Sequence, residues 1–181
     1  MVPGVIVEEA LRKGLQAIGI CDHNAAENVP AVRKAAEKKR IAVLGGMEIT
    51  SQEEVHVLAL FDDDEKLFEL QEKVYENLPG LNDEKAFGEQ TVVNEKDEVV
   101  DVNQRLLIGA TTLPLERIVE MIRSLSGLAI ALTWNVKLSA SSVSWASFRR
   151  DCGWTRWSSA GRSPRPTKPG HFCRRCRASL W

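Results

Sequence analysis

The sequence predicts an α/β fold built on a mainly parallel sheet or barrel. Two observations predict it. Short apolar runs at residues 17–21, 41–44, 55–61 and 128–131 alternate with longer stretches of helical spacing, and repeated strand–helix–strand order is the pattern of a sheet covered by helices. A chain of 181 residues is also long enough to bury one substantial core.

Taken in order, residues 5–16 place Val7, Ala10, Leu11 and Leu15 at helical spacing behind Pro3 and Gly4, an amphipathic helix. Residues 17–21 follow as a buried strand. Residues 29–39 form a second helix, with Pro30 tolerable in its first turn and Val32, Ala35 and Ala36 as a narrow apolar face. The next strand, 41–44, is expected to end at Gly45-Gly46. The strand at 55–61 runs into Asp62-Asp63-Asp64, an acidic start favourable to a helix over 65–78, which Pro79-Gly80 stops. Residues 82–104 read either as strands at Thr91–Val93 and Val99-Val100 around a charged turn or as a helical insertion. A helix over 115–125 has Leu115, Ile118, Val119 and Ile122 on one face, is closed by Gly127, and leads into the strand 128–131.

Charge divides the chain in two. Residues 132–181 hold ten Lys/Arg and one acid, Asp151, out of totals of 24 basic and 25 acidic residues. The first 131 residues are thus acidic and the remainder basic. The basic part also holds all five Trp and three of the four Cys. Such a shift marks a domain boundary near residue 131. The N-terminal apolar run meets Glu8 and Glu9 at once, unlike a signal peptide, and no run approaches the roughly 20 apolar residues of a membrane span. Four cysteines make no disulfide framework. The expectation is a cytoplasmic protein with no membrane partner.

Candidate chemistry concentrates in residues 17–60. Asp22 and His23 follow the first apolar run, Glu48 follows the second, and His56 lies in the third. Imidazole and carboxylate groups at strand ends suit divalent Zn, Mn or Fe ions. An isolated Asp-His pair is more often structural; what raises these residues above that is their joint order and spacing. The segments Gly19-Ile20-Cys21-Asp22-His23-Asn24, Gly46-Met47-Glu48-Ile49-Thr50 and Glu54-Val55-His56-Val57-Leu58 resemble motifs of the PHP (polymerase and histidinol phosphatase) family of phosphoesterases. Residues 106–131 also resemble family sequence that leads into a later ligand, so the likeness covers residues 1–131.

The resemblance implies a distorted (β/α)7 barrel with divalent metals at the C-terminal ends of its strands. It implies hydrolysis of a phosphate monoester, or of a nucleic-acid phosphodiester, by metal-activated water. His23, Glu48 and His56 are the implied metal ligands, with Glu48 bridging. Asp22 is the implied catalytic acid, as a further ligand or as a partner that orients a histidine. No organic cofactor is implied. Cys21 is expected to be a buried strand residue rather than a nucleophile, and the charged residues from Arg33 to Arg40 a solvated helix face.

Two departures from the family are expected to matter. The family's opening His-x-His strand has no counterpart ahead of His23, and the later ligands after residue 131 are absent, so the barrel is expected to be incomplete and N-terminally truncated. The tail, 132–181, is expected to be irregular, disordered and the product of a frameshift. In a frame starting at each codon's third base, the codons overlapping Trp134–Asn135, Trp145–Ala146 and Trp154–Thr155 must encode Glu, Gly and Asp. One permitted reading of that frame puts a His directly after the strand 128–131. Rival readings of the tail are half a zinc site, Cys173-x-x-Cys176 with His171, and a basic, Trp-bearing nucleic-acid-binding segment.

Overall fold

A computed structural model describes residues 2–132 of the chain. Everything expected of the tail, including the frameshift, Cys173, Cys176 and His171, lies outside the described residues.

The chain opens with helix α1, Pro3–Arg12, which has Pro3 in its first turn and buries Val7 and Ala10. It stops four residues earlier than the apolar spacing predicts. Gly14 takes φ +72°, its N–H bonds to Leu11 O, and Leu15 N–H reaches Ala10 O, a left-handed terminator that a glycine accepts without steric cost. Strand β1, Ala17–His23, and helix α2, Val29–Ala36, lead into strand β2, Ala42–Thr50. Here the expectation fails: Gly45 and Gly46 lie inside the strand. A Cβ at Gly45 would stand 2.9 Å from both Leu67 Cδ2 and Val29 Cγ1. One at Gly46 would stand 2.4 Å from Ala59 O and 2.8 Å from Cys21 Sγ. The glycines permit close approach on the two opposite faces of the strand rather than a turn.

Strand β3, His56–Phe61, follows β2 across a turn closed by Ser51 N–H to Val55 O. So short a link allows only antiparallel pairing, whereas α2 supplies the long crossover that parallel β1 and β2 need. Helix α3, Asp64–Glu76, is capped by the Asp63 side chain, which accepts from Glu65 N–H. Then come a short helix α4, Glu84–Phe87, and a hairpin of β4, Thr91–Val93, and β5, Val99–Val102. Of the two readings of 82–104, the one with strands holds. Helix α5, Leu115–Ser124, and strand β6, Leu128–Ala131, complete the described chain.

The main sheet has the order β1-β2-β3-β6. Only β1–β2 is a parallel pair; β2–β3 and β3–β6 are antiparallel, so the expected mainly parallel sheet is corrected to a mixed one. The α/β class holds; the described residues form an open four-stranded sheet and a separate two-stranded one, and not a closed barrel. Helices α2, α3 and α5 pack on the sheet, with α1 against α2. The core lies between sheet and helices, where Met47, Ile49, Val57, Leu67, Leu70, Ile118 and Ile122 are at most 1% exposed. Gly127 admits the Phe61 ring, since a Cβ there would sit 2.4 Å from Phe61 Cζ. No described helix is long and apolar enough to cross a membrane.

Candidate metal centre

Register alone brings three of the sequence-predicted residues together. His23 is paired with Glu48 across the parallel β1–β2 ladder. Across the antiparallel β2–β3 ladder Glu48 faces Leu58, and Thr50 faces His56. Side chains alternate with a period of two, so His23, Glu48 and His56 emerge on one face, with Glu48 and His56 as diagonal neighbours, a separation that long side chains bridge. That face is the one opposite the helices. Had β2 ended at Gly45, Glu48 would have had no fixed register with either histidine.

One ligand-capable atom from each of His23, Glu48 and His56 lies within 4.8 Å of the others, and all three residues are half-buried. His56 Nδ1 is 2.7 Å from Glu48 Oε1, and the two imidazole rings stand edge to face with centroids 5.6 Å apart. His23 Nδ1 is buried without a hydrogen-bond partner. A buried polar atom left unpaired is costly, so this nitrogen fits a lone-pair donor awaiting a cation. Two imidazoles and a carboxylate are a donor set suited to first-row divalent ions. These residues therefore fit a metal.

Asp22 is not part of this cluster. By strand alternation it leaves β1 on the side opposite His23, and its Oδ2 accepts a hydrogen bond of 3.2 Å from Asn28 Nδ2. It lines, with His23, a cavity of about 330 Å³ that runs from the end of β1 to the β4–β5 hairpin. Phe87, Val92 and Ile108 give this cavity an apolar wall, and Glu27, Asn28 and Asn103 a polar one. Cys21, one position below His23 on the same face, has its thiol pushed up to about 12 by burial and by the Asp22 and Glu48 carboxylates. Such a shift favours the neutral thiol near neutrality; the residue is half-buried rather than buried as expected.

Two residues escaped the sequence reading. Asn28 accepts from Val93 N–H through Oδ1 at 3.0 Å while holding Asp22, and so ties the hairpin to the cavity. Asn24, directly after His23, is fully buried and has φ +49°. It closes the first of the segments that resemble the family, where it is given no role, and asparagine enters the left-handed region more readily than most residues.

Residues 3–133 match the family model of the PHP domain. Among solved structures, the crystal structure of a candidate metal-dependent phosphoesterase from Bifidobacterium adolescentis is similar at 19% identity with a TM-score of 0.47, over 72% of this chain and 60% of that one. The chain thus spans 60% of the length of that solved relative. Among curated proteins no match is found.

Proposed function

The chain belongs to the PHP domain family, and on that premise we propose that it is a metal-dependent phosphoesterase whose metal is held by His23, Glu48 and His56. The observation that carries this reading is the convergence of donor atoms from three residues within 4.8 Å, on one of which, His23, a buried Nδ1 has no hydrogen-bond partner. A divalent ion bound there supplies Lewis acidity to phosphoryl oxygens and makes water a competent nucleophile near neutral pH. The protein's own part is positional. Strand register fixes the ligand spacing, and the contact of His56 Nδ1 with Glu48 Oε1 sets the ring's orientation. Asp22, anchored by Asn28 on the side of β1 opposite His23, lines the cavity and serves there to orient the substrate rather than to hold the metal.

The cavity favours one of the two substrate classes. Among the described residues that line it none is Lys or Arg, and two are carboxylates, Asp22 and Glu27. Nucleic-acid binding rests on basic side chains that neutralise successive phosphates, so a small phosphate monoester fits better than a phosphodiester polymer. Only three potential ligands converge among the described residues. This small number favours a second reading, in which the chain binds metal without catalysis. Phosphatase and nuclease assays with added Mn²⁺ or Zn²⁺ separate these. Metal-dependent release of phosphate from a monoester, lost in His23→Ala and Glu48→Gln, supports the enzyme. Bound metal without turnover supports the second reading, and neither metal nor turnover overturns both.

A further inference from the structure

Beyond the ligands themselves, Asn24 is joined to the backbone of β2 around Glu48 and to the segment 107–109. Its backbone N–H donates to Glu48 O at 2.8 Å. Its Oδ1 accepts from Thr50 N–H at 3.2 Å, and its Nδ2 donates to Leu107 O and to Gly109 O, both at 2.8 Å. The β1–β2 pairing ends at His23 and Glu48, and at the next step the side chain of Asn24 takes the place of a strand backbone. On its other side it grips the segment that carries Leu107, a residue of the cavity wall. The same segment is fastened to β2 a second time, where Thr111 donates to Thr50 O through both N–H at 2.9 Å and Oγ1 at 2.8 Å.

We infer that Asn24 is a positioning residue that fixes His23 against Glu48 and His56 and locks the cavity wall to the ligand-bearing strand ends. The side chain must offer two donors and an acceptor, and the backbone must sit in the left-handed region. Asparagine meets both needs. Glycine accepts the backbone conformation but loses the three side-chain bonds, and aspartate keeps the acceptor while setting a carboxylate against two carbonyls. None of the side-chain bonds ends on a core helix; they end on β2 beside Glu48 and on the cavity wall. The inference rests on the metal-centre reading above, since positioning matters to chemistry only if His23 is a ligand.

The test uses the full chain with Asn24→Gly, Asn24→Asp and, as a control of similar destabilisation away from the centre, Val74→Ala in α3. Mn²⁺ binding is followed by the paramagnetic resonance of free Mn²⁺, and the imidazole signals of His23 and His56 by NMR without metal. Loss of a partner that orients a ligand costs about 10–100-fold in metal affinity. The expectation is that loss in both Asn24 variants, with shifted imidazole signals, while Val74→Ala lowers stability and changes neither. Wild-type affinity and unmoved imidazole signals in Asn24→Gly overturn the inference. If one Asn24 variant fails to fold, the other decides. If the wild-type chain binds no Mn²⁺, the metal-centre reading falls by itself, and the imidazole signals alone then decide the positioning role.

Discussion

Gly46→Ala adds one methyl group to the strand that carries Glu48, on the same face and one pair below it. The built Cβ meets Ala59 O at 2.4 Å, Cys21 Sγ at 2.8 Å and Leu60 Cδ2 at 2.9 Å. The sulfur and the leucine methyl can turn aside. The carbonyl cannot, because it belongs to β3, whose Leu60 is the register partner of Gly46. Overpacking of a filled site costs about 1–3 kcal/mol, offset in part by the roughly 0.5–1 kcal/mol gained when a glycine leaves a strand interior. A net loss of about 1–2 kcal/mol follows, with β2 and β3 forced apart beside the His56–Glu48 contact. Gly4→Ala, in α1, is the matched control: nothing lies within 4 Å of its Cβ, and helix propensity alone makes it neutral or favourable by up to about 1 kcal/mol. Urea denaturation of both variants reads the stabilities, and Mn²⁺ titration reads the centre. Gly46→Ala should lower the midpoint and weaken the metal together. Equal midpoints for the two variants would refute the close packing of β1, β2 and β3 under the centre.

Metal should stabilise the chain, because the three donors are brought together only by folding: at Mn²⁺ about 100-fold above its dissociation constant the gain is about 2.7 kcal/mol. A thermal melt with and without chelator measures it, and a shift that persists in His56→Ala counts against this triad as the origin. Tyr75, the chain's single tyrosine, gives a prediction at high pH. Burial first, then the neighbouring Glu27 carboxylate, raises its phenol above the ordinary value, near 10. The folded chain therefore holds this proton more tightly than the unfolded chain. The stability it contributes is complete below about pH 10 and is lost as pH climbs beyond it. Phenolate absorbance should appear only as the fold is lost in alkali. A reversible titration near pH 10 with intact circular dichroism would show the ring to be solvated.

The parts of this architecture that were legible in the sequence are those governed by local pattern. The apolar spacing of Leu115, Ile118, Val119 and Ile122 fixes α5, where all four are buried, and the acidic run ahead of α3 supplies its cap through Asp63. What was misread depended on contacts distant in the chain. Gly45 and Gly46 read locally as a strand end, yet the side chains that require them come from Val29, Leu67, Cys21 and Leu60, which no window around the glycines contains. Gly127 was expected to end α5. Instead Ser126 takes the left-handed conformation, at φ +63°, with its N–H on Arg123 O and Gly127 N–H on Ile122 O, and the glycine serves the Phe61 ring. The candidate centre divides the same way. His23, Glu48 and His56 stood out by residue type and spacing. Asn24 did not, because three of its partners, Thr50, Leu107 and Gly109, lie 26, 83 and 85 positions away. A ligand is visible as chemistry in the sequence, whereas the residue that aims it becomes visible only once the strands are in register. A survey of residue types at strand ends thus finds what could bind the metal here and passes over what holds it in place.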